Sequence, residues 1–148
     1  AKGAVKYFDE LRTEHGFAQL LSLDEFNDQS NEYLVNDCCV FGVEVLVIQP
    51  FTGSLKMVKE LDDRTYTWSI QDFSNLNEDN QNSDSFNLLK LNLCPKGCKS
   101  QKGKSLSLFL WLQDRETIVP GRKVYAKYKL RVLDHSQLKT FEKIDGFS

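Results

Sequence analysis

Most of the chain alternates apolar and polar residues with a period of two, the pattern of a β-strand with one buried face. In residues 87–94, leucines alternate with Lys90 and Asn92, and in residues 106–112 every second residue is leucine. A third alternating run covers residues 124–132. These runs predict strands that pack one face against a second layer of structure.

Further strands are predicted at 16–21, 39–48, 66–70 and 138–144. Ser22 and Glu25 have capping-box spacing and predict one helical turn over 22–26. About seven or eight short strands, with no helix of normal length, are typical of an all-β, antiparallel β-sandwich. Residues 49–65 break the strand pattern with Pro50, Gly53 and a charged run, so we interpret them as a linker.

Two large aromatics, Phe109 and Trp111, lie between the leucines of the 106–112 strand. Alternation places them on the outer face, where bulky apolar side chains suggest an interaction surface. Tyr128 has the opposite parity in its strand, because it alternates in phase with Ala126 and Leu130. It is therefore predicted to lie in the core.

The length of 148 residues predicts a single domain, and 41% hydrophobic residues are enough for a packed core. No apolar run approaches the roughly 20 residues that a membrane-spanning helix needs, so no membrane association is predicted. The net charge of -2 gives no attraction to nucleic acid. The two histidines lack the neighbouring residues of a nucleophilic catalytic site, so the sequence predicts neither an enzyme nor a cofactor.

Four cysteines permit two disulfides at most, and there is no Asn-x-Ser/Thr acceptor. Both features favour an intracellular location, in cytoplasm or nucleus, with a secreted or storage compartment as the alternative. Cys38 and Cys39 are adjacent on a strand and point to opposite faces, so they do not predict a metal site with Cys94 and Cys98. We expect four free thiols, with a Cys94–Cys98 disulfide as the alternative under oxidising conditions.

Several motifs in the second half of the chain, taken in order, resemble the first half of a MATH (TRAF-like) domain of the plant type. The motifs lie at 66–74, 83–86, 91–97, 106–110 and 125–128. Motifs at 15–17, 21–26 and 33–37 resemble the second half of such a domain. One departure is His15, which precedes Gly16-Phe17 where the family usually has tryptophan.

The resemblance implies a non-enzymatic module that binds short extended peptides of partner proteins through a sheet-edge groove. Carried over residue by residue, the peptide-binding positions are Tyr7, His15, Phe17, Phe109 and Tyr128.

The motifs stand in reversed order, so we predict one sandwich over residues 1–148 in circularly permuted order. Residues 1–48 supply the C-terminal-half strands, 49–65 the linker and 66–148 the N-terminal-half strands. The chain ends should then lie close together. A monomer is expected, and the alternative is a swapped homodimer in which each half pairs with another chain.

The loop over residues 96–104 contains four lysines and no acidic residue. Its ordinary interpretation is a solvated hairpin loop. The alternative function is a serine protease inhibitor, in which Lys96, Lys99 or Lys102 enters the acidic pocket of a trypsin-like protease. A proteolysis assay distinguishes this alternative from peptide binding.

Overall fold

Nine β-strands account for most of what the computed structural model describes, which is residues 6–9, 11–48, 60–76, 80–86, 89–112, 124–136 and 140–144. The strands are β1 (Lys6–Phe8), β2 (Glu14–Ser22), β3 (Cys39–Ile48), β4 (Glu60–Ile70), β5 (Gln81–Asn82), β6 (Leu89–Cys94), β7 (Ser105–Leu112), β8 (Val124–Leu133) and β9 (Phe141–Ile144). The sequence predicted about seven or eight strands. The shortest two, β1 and β5, have 3 and 2 residues, too few for alternation to predict them.

The strands form two antiparallel sheets around one core, which confirms the predicted all-β sandwich. The first sheet has the order β1-β8-β3-β4, with β9 also paired to β8. The second has the order β2-β7-β6-β5. Each sheet combines strands from both sides of the predicted linker, so neither part of the chain builds a sheet of this structure alone.

The core lies between the sheets and follows the predicted alternation. The inner leucines of β6 and β7 are all at most 5% exposed, and they are Leu89, Leu91, Leu93, Leu106, Leu108, Leu110 and Leu112. Phe41 and Val43 of β3 and Leu130 of β8 are fully buried in the facing sheet. Burying one such side chain contributes roughly 1.5–3 kcal/mol before the cost of chain ordering, so this layer is the main source of stability.

The predicted helical turn is α1 (Leu23–Asn27). The side chain of Ser22 accepts a hydrogen bond from the amide of Glu25 at 3.1 Å, as the capping-box spacing predicted. Phe26 fixes the turn by inserting into the core, where it is fully buried. Among the described residues no helix is long and apolar enough to cross a bilayer.

The predicted linker is too long at its C-terminal end. Strand β4 begins at Glu60, so the last six residues of the 49–65 segment belong to a strand, while 49–59 lie outside the described residues. Glu60 is opposite Ile48 and Thr65 is opposite Glu44 in an antiparallel pair. Strand β4 pairs with the long strand β3 and is at the edge of its sheet among the described strands. An edge strand tolerates charges that would not suit a central strand, so the charged residues 60–64 did not predict a strand.

Asn92 also differs from prediction, because it lies on the nominally wet face of β6 but is only 1% exposed. Its amide donates to Asn82 Oδ1 of β5 at 2.7 Å. The polar sequence around β5 gave no sign of this short strand, which pairs with β6 at its outer side.

Strands β9 and β1 pair with β8 on the same side, one after the other. Ile144 is opposite Lys129 and Lys6 is opposite Ala126, and both strands run antiparallel to β8. They therefore follow one another in a line, separated by the stretch opposite Lys127 and Tyr128. Residues 1–5 and 145–148 lie outside the described residues, so the proximity of the chain ends, the permuted order and the swapped dimer stay predictions.

Candidate functional site

Strand β2 is an edge strand, since among the described strands it pairs only with β7. Its pairing is regular from Glu14 to Phe17 and then shifts, so that Leu21 is the next residue with a partner. Three residues of β2 therefore oppose the single residue Ser107 in a special bulge, which has more than the usual two residues opposite one. One carbonyl in the bulge, that of Ala18, accepts from Ser107 Oγ at 2.6 Å.

The side of β2 that faces the other sheet, its inner side, carries His15 and Phe17. They are opposite the fully buried Leu110 and Leu108, and each is itself half-buried. Their ring centroids lie 6.5 Å and 6.4 Å from that of Tyr128 in the other sheet. The two layers thus meet at this edge through an aromatic cluster rather than through leucine.

Tyr128 is 4% exposed, which confirms the core position that its parity predicted.

Tyr7 lies on the outer face of the first sheet, opposite Tyr125, with the two ring centroids 6.1 Å apart. The Arg12 guanidinium lies 5.3 Å from the centre of the Tyr7 ring. The backbone carbonyl of Tyr7 is 2.6 Å from Nε2 of His15, close enough to fix the imidazole. Tyr7 therefore reaches the β2 edge through its backbone, and its ring faces elsewhere.

The outer side of the same edge carries Gly16 and Phe109. They are directly opposite each other in β2 and β7, and Phe109 is half-buried. A Cβ at residue 16 would lie 2.4 Å from the Leu108 carbonyl oxygen, 2.6 Å from Phe109 Cα and 2.9 Å from Phe109 Cδ1. Only glycine fits this approach, because the β7 backbone and the Phe109 ring occupy the space that a side chain at residue 16 would need.

The second outer aromatic, Trp111, already has partners. Its indole N–H donates to the Glu14 carboxylate, and the Lys90 ammonium lies 5.2 Å from the ring centre. Both outer aromatics lie on the outer face, as alternation predicted. Of the two, only Phe109 is opposite Gly16.

The five predicted peptide-binding residues do not lie on one face. His15, Phe17 and Tyr128 lie on the inner side, Phe109 on the outer side of the second sheet and the Tyr7 ring on the outer side of the first. Three of them, His15, Phe17 and Phe109, lie at the β2 edge. We call His15, Gly16, Phe17 and Phe109 the β2-edge surface.

One residue at this surface, Lys143 of β9, was missed by the sequence reasoning. Its ammonium donates to the backbone carbonyl of Gln19 at 2.8 Å and lies 5.2 Å from the centre of the Phe17 ring. Alternation in the last strand predicts no such contact, because the two residues are 124 positions apart. Only the closure of the two layers brings them together.

The lysine-rich loop is folded back rather than extended. Lys99 to Gln101 form a 3-10 helix, and Lys99 has φ of 56°. Lys96, Lys99 and Lys102 are exposed, as predicted for a solvated loop. A protease inhibitor presents its bait residue on extended backbone, so the helical turn at Lys99 gives the inhibitor alternative no support.

The cysteines differ from the expectation of four free thiols, because Cys94 and Cys98 form a disulfide with a Cα–Cα distance of 5.9 Å. The turn that begins at Pro95 brings them together, and the amide of Cys98 donates to Ser107 Oγ at 3.0 Å. Cys38 and Cys39 are free. Burial, with smaller contributions from Cys38 and Asp37, raises the pKa of the Cys39 thiol to about 12.

Comparison with known proteins gives the family. A family model of the MATH domain matches residues 65–146, more than half of the chain, so the chain belongs to the MATH domain family. No curated protein and no solved structure matches significantly. MATH domains are protein-interaction modules and are generally non-enzymatic. The general role of the chain is therefore to bind other proteins.

Proposed function

We propose that the chain binds an extended peptide segment of a partner protein as an additional strand beside β2. Strand addition needs an edge whose backbone is accessible, and specificity then comes from sites for alternate side chains. Strand β2 is at the edge of its sheet among the described strands, and it is regular from Glu14 to Phe17. Four regular residues followed by a bulge suit a short peptide.

The geometry around Gly16 is the observation that supports this proposal best. Side chains of an added strand would point alternately to the inner and outer faces of the second sheet. The inner ones would meet the rings of His15 and Phe17. The outer ones would cross Gly16, which has no side chain, and reach Phe109 on β7, about 10 Å from the added strand. One bound strand would thus contact both sides of the β2-edge surface.

The other two predicted residues support this surface from behind. Tyr128 packs beneath His15 and Phe17, and the Tyr7 carbonyl holds His15 by its Nε2. Both are positioning residues in this proposal. Substituting Tyr128 is expected to disturb the orientation of the His15 ring, whereas a substitution at Tyr7 leaves the carbonyl that contacts His15 in place.

The test uses peptides selected from a displayed library against the whole chain. Phe109→Ala should lower the affinity for the selected peptide by about 30-fold, which corresponds to a hot spot of about 2 kcal/mol. Tyr125→Ala is the matched control, because it removes a half-buried aromatic from the outer face of the other sheet. Calorimetric titration measures the affinities, and thermal unfolding checks that both variants remain folded.

Backbone NMR locates the bound strand. We expect the largest amide shifts and the strongest new hydrogen-exchange protection between Glu14 and Phe17. Equal affinity loss in the Phe109 and Tyr125 variants, or shifts confined to the edge of β4, would contradict binding at β2.

A further inference from the structure

Lys143 bridges the two layers at the β2-edge surface. It lies on the inner side of β9, opposite Leu130, and its ammonium reaches across to the Gln19 carbonyl in the β2 bulge. The ammonium also lies over the Phe17 ring, with the nitrogen 5.2 Å from the ring centre. A cation is therefore held directly beside the proposed peptide position.

Among the described residues, the acidic groups of β9, of β2 and of the turn before β2 have other partners. The Glu14 carboxylate accepts from Trp111 on the outer face, and Glu142 points to the opposite side of β9, where it binds Arg131 at 2.7 Å. Asp9 caps the turn before β2 by accepting from the amides of Leu11 and Arg12. Within the described part of the chain, Lys143 has no carboxylate partner, and its hydrogen-bond acceptor is a neutral carbonyl.

From this arrangement we propose that the β2-edge surface selects peptides with Asp or Glu beside Phe17, and that Lys143 determines this preference. The inference rests on the proposed strand addition at β2. A carboxylate offers the Lys143 ammonium an ion-pair attraction that a neutral carbonyl does not. Lys143 gains by exchanging its carbonyl partner for the carboxylate, and the Gln19 carbonyl becomes available to an N–H of the added strand.

The same contact discriminates against neutral peptides. A peptide without an acid must displace the Lys143 ammonium from Gln19 or leave that carbonyl occupied, and it offers no equivalent partner in return. Inward-pointing charge at a sheet edge is also a known device against indiscriminate strand pairing. Lys143 therefore combines an attractive and a repulsive element, as specific interfaces commonly do.

The test compares peptide pairs that differ only by Asp/Asn or Glu/Gln at one position. For the wild-type chain we expect the acidic member to bind about tenfold more tightly at low salt, with a smaller ratio at high salt because the pair is screened. Lys143→Gln should reduce the ratio to near one, and Lys143→Arg should preserve most of it.

Lys99→Gln is the matched control, because it removes one positive charge from an exposed loop position. It should leave the acidic preference unchanged. Thermal unfolding of each variant verifies that the fold is intact before affinities are compared.

The outcomes separate the two proposals. Peptides that bind with amide shifts at residues 14–17 but without acidic preference overturn the role of Lys143 and leave strand addition in place. An acidic preference that survives in Lys143→Gln overturns the assignment to this residue. Peptides whose shifts avoid β2 overturn strand addition itself, and the inference with it.

Discussion

The outer faces of the two sheets follow the same alternation, but β3, β8 and β9 of the first sheet carry charged residues where β7 of the second carries aromatics. The first sheet carries a closed ionic network in which Arg131 contacts Glu44 at 2.6 Å and Glu142 at 2.7 Å. Lys129 lies 4.0 Å and 3.6 Å from the same two carboxylates. The second sheet carries aromatics, and Phe109 lies beside a glycine on an edge strand.

On the outer face of the first sheet the charged groups are paired with one another, whereas on the second sheet Phe109 remains partly exposed. In the network each acid already has cationic partners across neighbouring strands, so a partner protein would have to compete with them. The Phe109 ring packs against Gly16 and is only half-buried, so burying it further would remove apolar area from water. This is why we place binding at the second sheet rather than at the more highly charged first sheet.

Glycine substitutions provide the largest test of this comparison, since each outer face has one glycine in a strand. Gly16→Ala should destabilise the fold by about 3 kcal/mol, because its Cβ would collide with the backbone of β7 and force β2 away. Gly42→Ala on the first sheet is the control. Its Cβ would meet the mobile end of Leu133 at 3.1 Å, so little change is expected.

Denaturant unfolding at equilibrium measures both free energies of unfolding. Similar free energies of unfolding for the two variants would show that β2 can shift without cost. The close approach of β2 to β7 would then not require glycine at residue 16.

The cysteines give the next effect. In the denatured, unreduced chain two thiols should react, Cys38 and Cys39, because Cys94 and Cys98 are paired. In the native chain Cys38 alone should react quickly, since Cys39 is fully buried and its thiol has a pKa of about 12. Reduction should lower the free energy of unfolding by about 2 kcal/mol, on the chain-entropy account of a short loop.

A timed thiol titration with and without denaturant and reductant checks the count. Four reactive thiols in the unreduced, denatured chain would agree with the expectation of four free thiols and would support the predicted reducing compartment.

The sandwich could be predicted from the sequence because every second residue of a strand faces the core and must be apolar, and this pattern is visible over a few residues. The leucines of β6 and β7 can be buried only if their strands share a register, and the prediction was confirmed at every one of them. Strand β5 and the start of β4 were missed, since both are polar in sequence and are recognised only by their pairing with a neighbouring strand. Local pattern carries no information about such pairing.

The site was less predictable than the fold. Alternation placed Phe109 outside and Tyr128 inside, but it could not show that β2 is an edge strand. It also could not show that Tyr7 contributes its carbonyl rather than its ring, or that Lys143 crosses between the layers. These facts depend on contacts distant in sequence, such as the one between Lys143 and Gln19.

The smallest expected effect concerns the ionic face and is a pH dependence. The hydrogen bond from Arg131 lowers the pKa of Glu142 below its ordinary value of 4.5, against the opposing effect of partial burial. The resulting stabilisation is present above the unfolded pKa and is lost as the pH falls through the lower folded value. Glu142 is 41% exposed, so solvent screening limits the contribution to about 1 kcal/mol or less.

A double-mutant cycle isolates this contribution, using Glu142→Gln, Arg131→Gln and the double variant, each unfolded in denaturant at pH 7 and pH 3. The coupling energy should be measurable at pH 7, smaller at pH 3, and smaller again in 1 M salt because the pair is partly exposed. A coupling that is the same at both pH values would mean that the carboxylate charge of Glu142 does not contribute. The contact between Arg131 and Glu142 would then depend on hydrogen bonding and packing rather than on charge.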